Sequence, residues 1–554
     1  MRRMRVPLIV VISAYSVAVL GFTLVPGMDD QGEPWRMSIF QAFYVVSYTG
    51  STIGFGEIPY EFTNAQRMWT LASIYMTVFS WLYAVGSIIS LLQDPAFRQS
   101  LENLRLQGRI QGLCEPFYLV CGYGDNGRLL VRALADRGRR VVVIDSDRAH
   151  IDELSVKDMG AHVPAFCMDA GIPANLLTAG LKHEWCVGVL AVTNDDHTNL
   201  RVAIAARLLH PRVKVCCRAR QPETMANMYS FGTDAVINAG EDFADRLALA
   251  LRAPDSHRVY DWLSSLPGRR LPDRVRPPEG TWILCGFGEE GKPVYRGLRE
   301  AGVEVVVVDP APGENQCPPR SIRGKGTEAV TLQEAGIHEA SAVVAATGND
   351  ADNLSIIMTA RQLQKDLYLV AVENRLENKA LFEAAAPELV VQSSYIVTTR
   401  LLSLLASPLL GEFLERARQQ GNDWNRQLAE RLRQACHDYT PESWSVQISE
   451  ASCPAVMLAL AEGEPISLGC VCRDPRNREH ELDCMPLMLR RGERVELLPD
   501  GETLLEYGDQ LLFCGHADAL GMLRYNLQHL NTLRYVHTGI QRPDGLIWRK
   551  LARH

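Results

Sequence analysis

The stretch YTGSTIGFGEIPY, Tyr48 to Tyr60, packs three glycines, a Thr-Ile pair and one acid into thirteen residues. Its surroundings decide how it is read. In a chain of 554 residues that is 22% charged, residues 6–28 between Arg5 and Asp29 carry no charge, and neither do residues 68–93 between Arg67 and Asp94. Each run is long enough to cross a hydrocarbon core of ~30 Å as a helix. The uncharged run Met37 to Gly56 lies between them, but its last seven residues, GSTIGFG, would leave backbone groups unpaired in lipid. Such backbone is tolerated at membrane depth only where protein or a watery cavity surrounds it. Ser38 to about Thr49 therefore predicts a short re-entrant helix, with the glycine-rich run returning to the surface.

Charge placement gives the orientation. Arg2, Arg3 and Arg5 precede the first span, Arg98, Arg105 and Arg109 follow the second, and Asp29, Asp30, Glu33, Glu57 and Glu61 fall between. Both ends are expected on the cytoplasmic side of the cell (inner) membrane, in a multi-pass protein. All 14 cysteines lie at Cys114 or later, which fits a reducing compartment, and none forms a zinc-type CxxC pair.

A filter that strips water from an ion must replace its hydration shell, and rings of backbone carbonyls do so. TIGFG, Thr52 to Gly56, resembles the selectivity filter of potassium channels, with Ile53, Phe55 and Glu57 where that family usually has Val, Tyr and Asp. The resemblance implies K⁺ coordination by the carbonyls of Thr52, Ile53, Gly54 and Phe55, the filter ending at Gly56, in a homotetramer embedded in lipid. Phe55 lacks the hydroxyl with which the family's Tyr ties the filter to its pore helices. Near Met76, where many family members have a hinge glycine, there is none; Gly86 is the candidate bending point of the second span, with close helix packing as the alternative.

Beyond Asp94 the chain repeats itself. YLVCGYGDNGRLLVRALADRGRRVVVIDSD (Tyr118 to Asp147) matches WILCGFGEEGKPVYRGLREAGVEVVVVDPA (Trp282 to Ala311) at a constant offset, aligning Gly122, Gly124, Gly127 and Asp145 with Gly286, Gly288, Gly291 and Asp309. Each copy reads as strand, Gly-x-Gly-x-x-Gly turn, helix and a second strand ending in Asp, a Rossmann fingerprint in full context. Glycines there let the backbone approach a pyrophosphate at a helix N-terminus, and the Asp can accept from a ribose hydroxyl. LAVTNDDHTNL (Leu190 to Leu200) echoes VAATGNDADNL (Val344 to Leu354), which extends the repeat to at least four βα units.

This pattern resembles the RCK domain, the cytoplasmic ligand sensor of many channels and transporters. Its usual Gly-Asp-Ala element stands as Met168-Asp169-Ala170 in the first copy and is lost to Lys325 in the second. The resemblance covers nearly the whole chain and is greatest to prokaryotic tandem-RCK potassium channels of the GsuK type, which implies intrachain pairing of the copies. The fold class expected is an α-helical two-transmembrane pore with a re-entrant loop, then two α/β Rossmann-like domains and a small α+β subdomain. Expected boundaries are a pore domain at 1–95, a linker at 96–115, RCK domains at 116–275 and 276–440, a C-terminal subdomain at 441–530 and a basic tail at 531–554.

The two turns differ in charge. The first carries Asp125 and Asn126 and the second Glu289 and Glu290, with Arg128 and Lys292 following the third glycines. The first copy is thus expected to bind an adenine nucleotide, NAD-like or ADP-like, better than the second. The second pair reads as a solvated acidic surface, with a divalent cation such as Ca²⁺ as the alternative. Two other functions fit parts of the chain: a membrane-anchored NAD-dependent oxidoreductase, and a subunit of a K⁺ uptake transporter. Against the first, only His197 in TNDDHTN offers itself as a catalytic group, and a polar loop residue is the better reading. Against the second, the chain has one pore loop. A net charge of −8 argues against nucleic acid as a partner.

Overall fold

The structure is a computed structural model that describes residues 2–160, 162–268, 270 and 276–540. Part of the Pro/Arg-rich stretch Leu266–Pro278, and Arg542, Arg549, Lys550 and Arg553 of the basic tail, lie outside the described residues. Two compact units divide the chain near Arg109.

In the first unit, helices α1 (Arg2–Leu24) and α3 (Asn64–Gln93) are the two described helices long and apolar enough to span a membrane. Between them lies the short helix α2 (Ile39–Gly50), as the uncharged run predicts. Ser38 starts α2 by a capping box with Gln41, and Thr63 starts α3 the same way with Gln66, so each helix begins with its first N–H groups satisfied. Ala18, Phe22, Ala42, Val45 and Val46 form the core where the helices meet. The approach of α1 to α3 depends on Gly21: a Cβ there would fall 2.0 Å from the Trp69 ring, whose Nε1 donates to the Ala18 carbonyl at 3.0 Å. The expected linker is helical as α4 (Pro95–Gln111).

The second unit holds two parallel six-stranded sheets. The first comprises β1 (Phe117–Cys121), β2 (Arg140–Asp145), β3 (Ala165–Cys167), β4 (Cys186–Ala191), β5 (Lys214–Arg218) and β6 (Ala235–Ile237) in the order β3-β2-β1-β4-β5-β6. The second comprises β7 (Thr281–Cys285), β8 (Glu304–Asp309), β9 (Ile322–Arg323), β10 (Ala342–Ala345), β11 (Tyr368–Glu373) and β12 (Leu389–Gln392) in the equivalent order β9-β8-β7-β10-β11-β12. Both are doubly wound, with the strand order reversing where β1 meets β4 and β7 meets β10, and ligands of such sheets bind at that crevice.

The copies pair within the chain. The helix after β6, Ala239–Arg252, packs on the first helix of the second copy, Gly291–Glu300, so closely that a Cβ at Gly297 would lie 2.8 Å from the Ala244 carbonyl. Reciprocally, Ser393–Ala406 packs on Asp125–Ala135. One apolar core therefore runs through both copies, from Val120 and Leu130 through Phe243 and Leu247 to Trp282, Leu298 and Leu401. Beyond them, β13 (Glu442–Gln447), β14 (Cys484–Arg491), β15 (Arg494–Leu497) and β16 (Gln510–Gly515) form an antiparallel sheet with its own core. That core continues past residue 530. Leu533 and Val536, on the helix Leu530–Thr538, are fully buried, and Arg534 pairs with Glu462 and Glu464. Arg534 is thus part of the folded subdomain rather than of the basic tail expected from residue 531, because its apolar neighbours carry the helix inward.

Candidate functional site

The glycine-rich loop hangs from the end of α2. Ile53 and Gly54 both donate their N–H to the Tyr48 carbonyl, at 3.1 and 3.2 Å, and Thr52 donates to Thr49 at 3.1 Å. Beyond that anchor the backbone alternates: φ is +60° at Thr52, +64° at Gly54 and +71° at Gly56, and negative at Ile53 and Phe55. Glycine adopts the left-handed conformation freely, but a β-branched residue does so at a cost on the order of 1–3 kcal/mol, so Thr52 is a strained position in a functional-looking loop. Ile53 and Phe55 are 66% and 71% exposed.

A tie that sequence reasoning missed holds the loop's far end. The Tyr44 hydroxyl donates to Glu57 Oε2 at 2.9 Å and the Tyr48 hydroxyl to the Glu57 carbonyl at 3.1 Å. These two pore-helix tyrosines fasten the loop although Phe55 has no hydroxyl to do so. Gly86 lies in the unbroken helix α3, and a Cβ there would meet no atom within 4 Å, so close packing within the chain is not its reason.

In the second unit both glycine-rich turns line a single cavity of about 750 Å³. Each turn is shaped by the same contacts. Gly122 and Gly286 have φ of +102° and +97°, and a Cβ at Gly127 or Gly291 would sit 2.0 Å from the carbonyl oxygen of Gly122 or Gly286. The acids at the ends of β2 and β8 hold the turns. Asp145 accepts from the N–H of Tyr123 and Asp147, and Asp309 from the N–H of Phe287 and Ala311 and from the Asn315 amide. Both carboxylates are buried. The repeated TN and TG motifs are also structural: Thr193 and Thr347 donate their N–H to Asn199 and Asn353, whose amides reach the ends of β5 and β11. His197 is exposed at the start of its helix.

Of the residues singled out by sequence, Gly124, Asp125, Asn126, Arg128, Gly286, Gly288 and Asp309 reach the cavity wall, whereas Gly122, Gly127, Gly291, Asp145 and Asp169 do not. Asp169 instead accepts from the N–H of Gly171 at 2.7 Å. At the first turn Asn126 is 4% exposed and its Oδ1 has no hydrogen-bond partner. Arg128 pairs with Glu153 at 2.6 Å and lies 3.6 Å from Asp125.

The pairing of copies adds residues that neither motif contains. Arg218 and Arg220, from the end of β5 in the first copy, line the same cavity beside Glu289 and Glu290 of the second turn. Arg220 reaches Glu289 at 3.6 Å. Burial raises the Glu290 carboxyl above its ordinary value, opposed by Arg218 and Arg220, and lowers the Arg218 guanidinium to about 10. The Glu289-Glu290 pair is therefore not the solvated acidic surface its composition suggested: Glu289 is half-exposed, while Glu290 points at the first copy, its Oε2 2.9 Å from where a Cβ of Gly240 would stand.

Residues 8–94 match the ion channel family, and residues 118–239 and 282–393 each match the TrkA-N domain. The chain is an ion-channel pore region joined to two TrkA-N domains. The ion-channel match and the two long apolar helices make it a membrane protein. Among curated proteins the chain is similar to Potassium channel protein 1 of Methanocaldococcus jannaschii, 25% identical over 205 residues, which are 37% of this chain and 59% of that protein. It is also similar to the voltage-gated potassium channel Kch of Escherichia coli, 21% identical over 241 residues, 40% of this chain and 55% of Kch. The matches thus span little more than half of either relative. Among solved structures, the GsuK channel aligns at 16% identity over 95% of this chain and 99% of its own, with a TM-score of 0.45. The GsuK channel bound to NAD aligns at 15% identity over 94% and 96%, with a TM-score of 0.44.

Proposed function

We propose that this ion-channel and TrkA-N chain forms a K⁺-selective pore as a homotetramer in the cell membrane, opened or closed by an adenine nucleotide bound at the first glycine-rich turn. The observation that carries the pore is the alternating backbone of Thr52 to Gly56, suspended from a short helix between two spans. Four such loops around an axis would offer rings of carbonyls from Thr52, Ile53, Gly54 and Phe55 to a dehydrated cation. They would also cover Ile53 and Phe55, which one protomer leaves exposed. Both termini face the cytoplasm in this reading, which follows the arginine placement.

Nucleotide at the first turn is supported by four features of its wall. Gly124 leaves the backbone open to close approach, with only Asn194 Nδ2 near, at 3.9 Å from its Cβ position. The helix Asp125–Ala135 starts there and directs unpaired N–H groups outward. Asn126 Oδ1 lacks a partner, and Arg218 and Arg220 supply positive charge across the cavity. Bound ligand can shift opening only by its difference in affinity between open and closed states.

Recording of the purified protein in a planar bilayer, with KCl opposite NaCl, tests this. The expected current reverses near the K⁺ equilibrium potential, and ADP or NAD⁺ on the TrkA-N side changes its open probability. A current without K⁺ preference would refute the filter, and a K⁺ current indifferent to both nucleotides would refute the sensor.

A further inference from the structure

We propose that Arg220, with Asn194 and Arg218, makes the first turn's ligand and the second turn's carboxylates compete, so that phosphate bound in one copy loosens its contact with the other. The proposal rests on the nucleotide reading above and names the regulation of that same site.

The connection can be followed atom by atom. Asn194 stands next to the first turn, its Nδ2 3.9 Å from the Cβ position of Gly124. Its Oδ1 accepts from Arg218 Nη1 at 2.8 Å, and its backbone carbonyl accepts from Arg220 Nη2 at 3.1 Å. Arg220 Nη1 reaches on to Glu289 Oε2 at 3.6 Å, while its Nε has no hydrogen-bond partner. Arg220 therefore lies between the place where a ligand's phosphate would sit and the carboxylates of the opposite turn. A pyrophosphate carries more charge than a single carboxylate and accepts guanidinium hydrogen bonds in pairs. It would draw Arg220 toward Gly124 and leave Glu289 and half-buried Glu290 with less positive charge, weakening the contact between copies.

The device works in one direction only. In the register that aligns Leu190–Leu200 with Val344–Leu354, Gly348 occupies the place of Asn194 and Asn374 that of Arg220. No arginine thus links the second turn to the first by the equivalent route. Because linkage is reciprocal, whatever the ligand takes from the contact, the contact takes from the ligand's affinity.

Calorimetric titration of the full-length protein in detergent with ADP measures this. Glu289→Gln, and Glu289→Gln with Glu290→Gln, are expected to tighten ADP binding by about tenfold. Arg220→Gln is expected to weaken it, and in that background the Glu289→Gln effect is expected to fall to within about twofold, since the pair acts through one group. Glu289→Gln alone guards against a folding defect from replacing half-buried Glu290. Unchanged ADP affinity in the glutamate variants would overturn the competition and leave the nucleotide site standing. The same tenfold gain persisting without Arg220 would overturn it too, by showing that the carboxylates act through space. A wild-type protein that binds no ADP would remove the nucleotide reading itself, and this proposal with it.

Discussion

Gly122–Gly127 and Gly286–Gly291 bend alike, rest on a buried aspartate alike and open on one cavity, yet different side chains meet them there. The first turn presents Asp125 and Asn126, with an amide oxygen left without a partner. The second presents Glu289 and Glu290 to two arginines of the other copy. A fingerprint therefore specifies a backbone, and what that backbone binds is set by residues two strands away. The Rossmann glycines divide into those that make the turn and those that leave it accessible.

The largest effect that tests this comparison is on folding. Gly127→Ala and Gly291→Ala each force a Cβ to within 2.0 Å of a backbone carbonyl oxygen that cannot move aside. Each is expected to cost about 3 kcal/mol, read as a lowered unfolding midpoint and reduced folded yield. The two costs should be equal. A difference of more than about 1 kcal/mol would mean that the turns are not the same structure.

Next comes the accessible glycine of each turn. At Gly124 an added Cβ has only Asn194 Nδ2 near it, and at Gly288 it has nothing within 4 Å. Both alanine variants should fold as the wild type does, within about 0.5 kcal/mol. ADP affinity should fall at least about tenfold in Gly124→Ala, where the methyl group holds a pyrophosphate off the backbone, and stay unchanged in Gly288→Ala. Equal losses in both would show that the second turn binds nucleotide despite its glutamates.

Local signals made much of this legible. An uncharged run ending in glycines marks a helix that stops short, and α2 ends at Gly50 because GSTIGFG cannot continue it. The offset between the copies announced two sheets of one topology. What stayed hidden depends on pairing through space. Arg218 and Arg220 look like ordinary strand-end residues until the copies face each other, and the conserved-looking shape of the turns says nothing of what lies across them. Tyr44 and Tyr48 carry no motif, so their tie to Glu57 could not be read from TIGFG. Asp145 and Asp309 were legible as fingerprint acids, but their bonds to the turn's own N–H groups emerge only once the loop is folded.

The smallest effect concerns which force governs Glu290. Burial raises its carboxyl above the ordinary 4.5, and Arg218 and Arg220 oppose the shift without cancelling it. A carboxyl with a raised folded value binds its proton more tightly folded than unfolded. Below about 4.5 it is protonated in both states and costs nothing; as pH rises past that point the unfolded chain ionises first, and stability falls until the folded carboxyl has ionised too. Glu290→Gln has no such proton. Its unfolding midpoint relative to the wild type should therefore be flat below about pH 4.5 and rise by roughly 2 °C above it. The opposite sign, with the wild type gaining on the glutamine variant as pH rises, would mean that the two arginines outweigh burial and that the carboxylate is a net stabiliser of the contact between copies. The second turn would then be held shut by attraction, whereas a raised value makes it a contact kept under electrostatic cost, and one that a competing anion displaces more readily.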